Sequence, residues 1–424
     1  MSLRRRVFLQ SALAAGAGLA LGRRAFADTP DTKADTKGSG KANTPLKILI
    51  LGGTGFLGPA CMEAALARGH TLTLFNRGRL ETIRKDSGRA GVVPEGVEVL
   101  YGNRDPEKFA EDWKDDARQN PKGLEKRPDN PKGLTQLQGR QWDAVIDTSA
   151  YFPRIAKASA ELLASNVKQY VFVSTLSVYA DTSKAITEGT PTAKLANPLI
   201  EDFGAQFENY GPGKAACEDL IEKVMPGRVT NIRPGFIVGP RDSSNRFLFY
   251  PIRVRRGGEM VLPGSPDDPI QIIDVRDLGA WIVKTIEDKT VGVFNATGPA
   301  ETLTMKAMVE GCRAGASTST TFAWETEEAL KALGNGADGE PLYQEGSYPL
   351  YVPPAGEGAG FHKCDCTKAI AKGLAFRSVE ETARTTLAWY DSIPAEVQKG
   401  ITRFPMSEEK QDALLAAWKA SKKK

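Results

Sequence analysis

The stretch KILILGGTGFLG, Lys47–Gly58, decides the fold. Ile48 to Leu51 form an unbroken apolar run of strand character, and Gly52, Gly55 and Gly58 follow at three-residue spacing before a helical pattern begins. A strand ending in such a turn lets backbone N–H groups and the positive end of the next helix approach a pyrophosphate that side chains would keep away. Gly52, Thr54, Gly55, Phe56, Leu57 and Gly58 are therefore candidates for holding a dinucleotide. A plain strand-to-helix connection is the alternative.

Outward from this turn, short apolar runs alternate with helical stretches, the pattern of a parallel sheet with crossover helices. The strand candidates are LKILILG, TLTLFN, VEVLYG, WDAVIDTS, YVFVST and VTNIRPGFIV, and PACMEAALARG supplies the first helix with its terminal glycine. The fold class that follows is α/β, a doubly wound parallel sheet (Rossmann fold) over residues 46–240. Between the third and fourth strands, Asn120–Leu124 recurs as Asn130–Leu134 in NPKGLEKRPDNPKGLTQLQGR, which predicts a surface insertion at about 115–140. Beyond Gly239 the sheet pattern gives way to Pro/Gly-rich segments and helices. Residues 241–424 are expected to form a smaller substrate-binding and capping region.

Two further features specify chemistry. An NAD site usually offers an acid to the ribose at the end of the second strand, but LFNRGR places Asn76, Arg77 and Arg79 there. An acid would repel a 2′-phosphate whereas a guanidinium can pair with it, so NADP is favoured over NAD, with a solvated Arg77 as the alternative. In NYGPGKAACE, Tyr210 and Lys214 stand four residues apart, on one face of a helix starting there. An ammonium near a phenol, together with an oxidised nicotinamide, favours the phenolate and suits it to proton transfer. Upstream, YVFVSTLSVYAD brings Ser174, Thr175 and Ser177 to the sheet edge.

Together these residues resemble the short-chain dehydrogenase/reductase family, in its extended epimerase/dehydratase-like branch or an atypical relative of it. The resemblance covers about residues 46–299. It rests on GGTGFLG, VSTLSVY, YGPGKAACE, RPGFIVGP and IQIIDVRDLG, in the family's order. It implies that Tyr210 is the general acid/base, that Lys214 holds the nicotinamide ribose and lowers the pKa of Tyr210, and that Thr175 hydrogen-bonds the reacting oxygen, with Ser174 in reserve. It also implies that the chain from Pro234 to Ile237 passes the nicotinamide. Asp274 and Asp277 are expected to be structural residues at a helix start. The chain departs from the family pattern in lacking the acid after the second strand, in the NPKGL insertion and in Gly213 before the lysine. Substrate candidates are weaker: Tyr151 and Arg154 in YFPR, Arg241 and Arg246 in RDSSNRFLFY, and the aromatic segment YPLYVPP. Family members often pair through the Tyr/Lys helix, so a homodimer is expected as well.

The N-terminus bears on what such a site is for. Residues 1–27 carry a basic start, an apolar stretch and small residues at Ala25 and Ala27, the parts of a cleavable export signal. RRRVFL resembles the twin-arginine pattern, with Arg5 and Arg6 as the pair, which implies the twin-arginine machinery as a partner, a periplasmic location and no lasting membrane anchor. Residues 28–45 are polar and repetitive and predict a disordered leader. The chain's net charge of +4 resides in the five arginines of residues 1–27, so the remainder is near neutral and offers no electrostatic ground for nucleic acid. Five cysteines and two histidines show no metal-site spacing, and no metal is expected.

A cofactor exported with its protein is best used when hydride leaves and returns within one cycle. An epimerase or related redox-neutral enzyme acting on a sugar or glycoside is therefore expected. A net NADP-dependent reductase and a non-catalytic ligand or nucleic-acid binder are the alternatives.

Overall fold

The computed structural model describes residues 40–78, 93–107, 133–401 and 404–423. The expected export signal, most of the leader, Arg79 and most of the insertion lie outside these residues.

The predicted strands form β1 (Lys47–Leu51), β2 (Thr71–Asn76), β3 (Glu98–Tyr101), β4 (Trp142–Asp147), β5 (Val167–Val173) and β6 (Val229–Pro234), except that VTNIRPGFIV is broken at Gly235 and its second half joins a separate two-stranded sheet. They are followed by short β7 (Phe236–Val238), β8 (Glu259–Pro263), β9 (Pro269–Ile270) and β10 (Ile272–Asp274), then by β11 (Gly292–Ala296), β12 (Leu303–Thr304) and β13 (Thr321–Glu325). Seven strands build the central sheet in the order β11-β6-β5-β4-β1-β2-β3, every pairing parallel. Four of the five residues of β1 are buried, because a strand covered on both faces has no solvent side to alternate toward.

Helices α1 (Leu57–Ala67), α2 (Pro153–Leu163), α3 (Tyr210–Val224), α4 (Phe249–Arg255) and α5 (Val275–Glu287) follow in chain order. On one face, Cys61 and Met62 of α1 and Trp281 and Ile282 of α5 share a core with Ile48, Ile50 and Leu74. Cys217 and Ile221 of α3 and Ala156 and Ala160 of α2 pack on the other, against Leu49, Leu51 and Phe172. The α1–α5 contact is close, since a Cβ on Gly279 would lie 2.7 Å from the Ala60 carbonyl carbon. Asp274 caps α5 by accepting from the Arg276 N–H at 2.8 Å. The remaining helices, α6 (Met305–Ala316), α7 (Glu327–Lys331), α8 (Thr367–Ala371), α9 (Val379–Asp391), α10 (Ala395–Ile401) and α11 (Glu408–Ser421), belong to the chain beyond the sheet.

The expected boundary at residue 240 does not divide the layers. After β10 the chain returns, α5 covers the sheet and β11 becomes its outer strand beside β6. GVFNA was missed because it is short and carries Gly and Asn, which are depleted in strands. A third core joins Phe247, Phe249, Tyr250 and Met308 to Leu176, Val178 and Tyr179, which follow β5. The C-terminal elements are thereby fastened over the carboxyl ends of the strands, where ligands bind in open α/β sheets.

Candidate active site

The glycine turn separates into positions the protein needs for itself and one it does not. Gly52 has φ +91°, and a Cβ there would lie 2.7 Å from Thr148 Oγ1. At Gly58 a Cβ would meet the Gly53 carbonyl carbon at 2.4 Å, so helix and turn touch through bare backbone. Gly55 lies outside the left-handed φ region, and the nearest atom to its Cβ would be the Gly52 carbonyl oxygen at 3.7 Å. Neither packing nor φ asks for glycine at position 55. A bound group approaching the backbone there would account for it. Helix α1 begins with no side-chain cap and no acid in its first turn, leaving its dipole available to an anion. These features fit a dinucleotide pyrophosphate. Thr54 is buried beside the turn, and Leu57 points into the core.

A buried polar network that sequence reasoning missed holds this turn. Asp147, ending β4, receives Arg104 Nη1 at 2.7 Å and Nη2 at 2.8 Å, and the Tyr170 hydroxyl at 2.7 Å. Arg104 also donates to Ser149 Oγ at 3.0 Å and Ser159 Oγ at 2.8 Å. Thr148 and Ser149 in turn donate to the Leu51 carbonyl at 3.1 and 3.2 Å. Burial alone would raise the Asp147 carboxyl, but the Arg104 charge and these hydrogen bonds outweigh it and hold the pKa low. The available signals were an acid closing the apolar strand WDAVID and the arginine of GNRDP, neither of which names the other as its partner.

At the end of β2, Asn76 is buried and Arg77 is exposed. The Tyr151 phenol stands above its ordinary value through local desolvation by its packed neighbours, and the Arg77 charge opposes this. Pro234 closes β6 opposite Ala296 of β11.

Tyr210, Thr175 and Lys214 converge at the carboxyl end of β5. Tyr210 is the first residue of α3, and a Cβ on Gly211 would fall 2.0 Å from the Ser177 carbonyl oxygen. Only glycine permits that approach, and it sets the Tyr210 phenol near Thr175, whose hydroxyl lowers the phenol's pKa. Thr175 Oγ1 also accepts from the Ser177 N–H at 3.1 Å. Beside it, Ser174 Oγ is buried with no hydrogen-bond partner, an unmet polar atom where a cofactor amide would lie. The Tyr210 ring packs 5.9 Å from Phe203 and 6.4 Å from Tyr151, and neighbouring Phe207 has φ +59°, unusual for a non-glycine residue near a site.

The electrostatics depart from expectation. The Lys214 ammonium is buried and donates to the carbonyls of Ala150 at 2.8 Å and Val173 at 2.6 Å, 4.1 Å from the Phe172 ring centroid. Burial lowers its pKa to about 8. The Tyr210 phenol is raised, first by burial and then by Tyr151, while the Thr175 hydrogen bond and the Arg246 charge oppose this. In the chain alone the Tyr210 phenol is raised rather than lowered, and the Lys214 ammonium lies against backbone oxygens. Arg246 is the cation acting on the phenol.

Of the substrate candidates, Arg246 lines a cleft of about 530 Å³ that opens beside Tyr210, next to Ser177, Gly211 and Pro212. Arg154 is a bracing residue, reaching Asp105 at 2.9 and 3.0 Å and Glu201 at 2.6 and 2.8 Å. Arg241 pairs with Glu63 at 2.8 Å. Tyr151 is 43% exposed but does not line the cleft. Asp277 pairs with Arg377 at 2.7 Å. Among the described residues no group of His, Cys, Asp and Glu is placed to hold a metal, and all five cysteines are buried free thiols.

No family model matches the chain. Over 275 residues it is 23% identical to the chloroplast stem-loop binding protein of 41 kDa b from Arabidopsis thaliana, covering 64% of this chain and 63% of that protein. The chain therefore spans less than two thirds of this curated relative. Among solved structures, UDP-glucuronic acid 4-epimerase from Bacillus cereus in complex with NAD superposes with a TM-score of 0.50 at 14% identity, covering 84% of this chain and all of that one (100%). The Bordetella bronchiseptica enzyme WbmG in complex with NAD and UDP gives 0.51 at 18% identity, covering 84% and 96%. A UDP-glucose 4-epimerase gives 0.51 at 16%, covering 81% and 97%. These likenesses establish the Rossmann fold, in the arrangement of the NAD-bound epimerases.

Proposed function

We propose that this chain is an NAD-dependent, redox-neutral oxidoreductase of the epimerase/dehydratase kind, acting on a hydroxyl group of a sugar-like substrate. The observation that carries this reading is the convergence of Tyr210 and Thr175 at the carboxyl end of β5, beside the cleft. NAD is preferred to NADP because several of the solved neighbours carry it, and because Arg77 is an exposed loop residue beside a buried Asn76. When bound, the nicotinamide supplies the acceptor and donor of hydride.

The chain's own residues would hold and move the proton. The raised pKa of Tyr210 keeps its phenol protonated at rest and ready to donate to a substrate oxygen. Accepting a proton requires nearby positive charge, to which Arg246 contributes. Thr175 would steady the same oxygen. Lys214 fixes the strand ends beneath the site. The phenylalanines around Tyr210 restrict water near the reacting oxygen.

The name of the curated relative raises a second reading, a nucleic-acid binder. The cleft speaks against it, since among the described residues on its walls carboxylates outnumber the one guanidinium and would repel a phosphate backbone. Export by the twin-arginine route remains part of the proposal, because that route carries folded proteins and lets the cofactor travel bound. To test the whole reading, the purified mature protein is denatured and the released nucleotide identified by mass. About one NAD per chain supports it, and an empty site that binds added NAD weakly rejects it.

A further inference from the structure

We propose, resting on the reading above, that the cleft takes a saccharide bearing a free ammonium group and no phosphate. The cleft qualifies as a site by its volume and its position beside Tyr210, and its walls define the class of occupant. Asp181, Glu208, Glu327, Glu345 and Glu357 line it, and among the described residues Arg246 is the one cation on its walls. The Arg246 guanidinium lies 4.8 Å from the Phe236 ring centroid and donates to Ser244 Oγ at 2.9 Å, so it is already engaged. Diphosphates are held by several converging donors and cations. Here a diphosphate would face Glu208 and Glu327, which have no cationic partner among the described residues, across low-dielectric walls that focus the repulsion.

Glu327 carries the argument further. It is only 8% exposed, accepts the Tyr343 hydroxyl at 2.6 Å, and has no lysine or arginine within ion-pair distance among the described residues. It stands in the first turn of α7, whose dipole steadies the carboxylate in part, and a cationic ligand would supply the counter-ion it lacks among the described residues. Glu208 likewise lacks a cationic partner among the described residues and accepts from the Gln206 N–H at 2.8 Å, leaving acceptor capacity toward the cleft. The aromatic wall suits the rest of such a ligand. Tyr348 and Tyr351 are anchored through their hydroxyls, to the Val261 carbonyl at 2.5 Å and to Asp268 Oδ2 at 3.1 Å. Their rings are thereby set to stack on sugar C–H faces or to attract a cation.

The test uses the purified mature protein with whatever nucleotide it retains, and titrates three probes by calorimetry at low ionic strength. These are the β-1,4-linked glucosamine disaccharide, its N,N′-diacetyl counterpart and UDP-glucose. The free-amine disaccharide is expected to bind about tenfold tighter than the diacetyl form, the yield of one desolvated charge-assisted hydrogen bond. That preference should vanish in E208Q/E327Q, and also in the unaltered protein above the pKa of the amine, a control that needs no variant to fold. UDP-glucose should not displace the disaccharide. Equal binding of the two disaccharides, no saccharide binding at all, or displacement by UDP-glucose overturns the proposal. An ammonium preference in protein that releases no nucleotide would reject the cofactor reading and leave this one standing; bound NAD with UDP-glucose preferred would do the reverse.

Discussion

Tyr210 and Lys214 share one helix face yet face different tasks, and two substitutions separate them. Tyr210→Phe keeps the ring against Phe203 and Tyr151 and removes only the hydroxyl. Turnover should fall by about 10²–10⁴, the usual range for losing a general acid/base, while the nucleotide released on denaturation stays unchanged. Loss of both would make Tyr210 a binding residue. Lys214 differs because its charge is buried on two carbonyls, with a pKa of about 8 against an ordinary value of 10.5. Between those values the unfolded chain holds more protons than the folded one, so stability rises with pH. The contribution is complete above about 10.5 and is lost as pH falls through about 8, a difference on the order of 3 kcal/mol by linkage. Denaturant midpoints from pH 7.5 to 10.5 should show this rise in the unaltered protein relative to Lys214→Met, whose curve lacks it. Parallel curves would mean that the ammonium is solvated in solution.

At the scale of elements, the β1–α1 turn makes the sharpest separable prediction. Gly58→Ala drives a Cβ into the Gly53 carbonyl and should cost about 2–3 kcal/mol of stability, as overpacking does. Gly55→Ala meets no such obstacle, so it should keep its stability within about 1 kcal/mol and yet lose the co-purifying nucleotide. Thermal unfolding and nucleotide release measured on the same preparations check both halves. This turn was legible in the sequence because three evenly spaced glycines directly behind an apolar run seldom serve any purpose but close backbone approach. Six of the seven sheet strands and the helix bearing Tyr210 and Lys214 were legible too, from their apolar patterning. Pairing at a distance was not. Arg104 meets Asp147, separated by 43 residues, and Arg154 meets Glu201, separated by 47, through folding alone. Periodicity also carries no information about which arginine neutralises an acid and which is left facing a cleft. Arg154 and Arg241 therefore looked as promising as Arg246 until their partners Asp105, Glu201 and Glu63 appeared.

For the whole molecule, the layers account for how a cofactor could survive transport. The C-terminal elements are fastened over the strand ends by one continuous core, in which Leu176 and Tyr179 of the sheet half meet Phe247 and Tyr250 of the other. Releasing a bound dinucleotide would then require that core to loosen, and burying large aromatic side chains makes such opening slow. A redox-neutral cycle needs this retention, because the nucleotide is never exchanged. The proposed location and the proposed chemistry can therefore be tested together. With Arg5 and Arg6 both changed to Lys, the protein should remain in the cytoplasm, folded and still loaded with nucleotide, while the unaltered chain should be recovered outside the membrane with the same nucleotide content. Fractionation followed by mass analysis of the released nucleotide measures both quantities. Exported protein that arrives empty would uncouple retention from transport and favour a net reductase supplied with cofactor where it works.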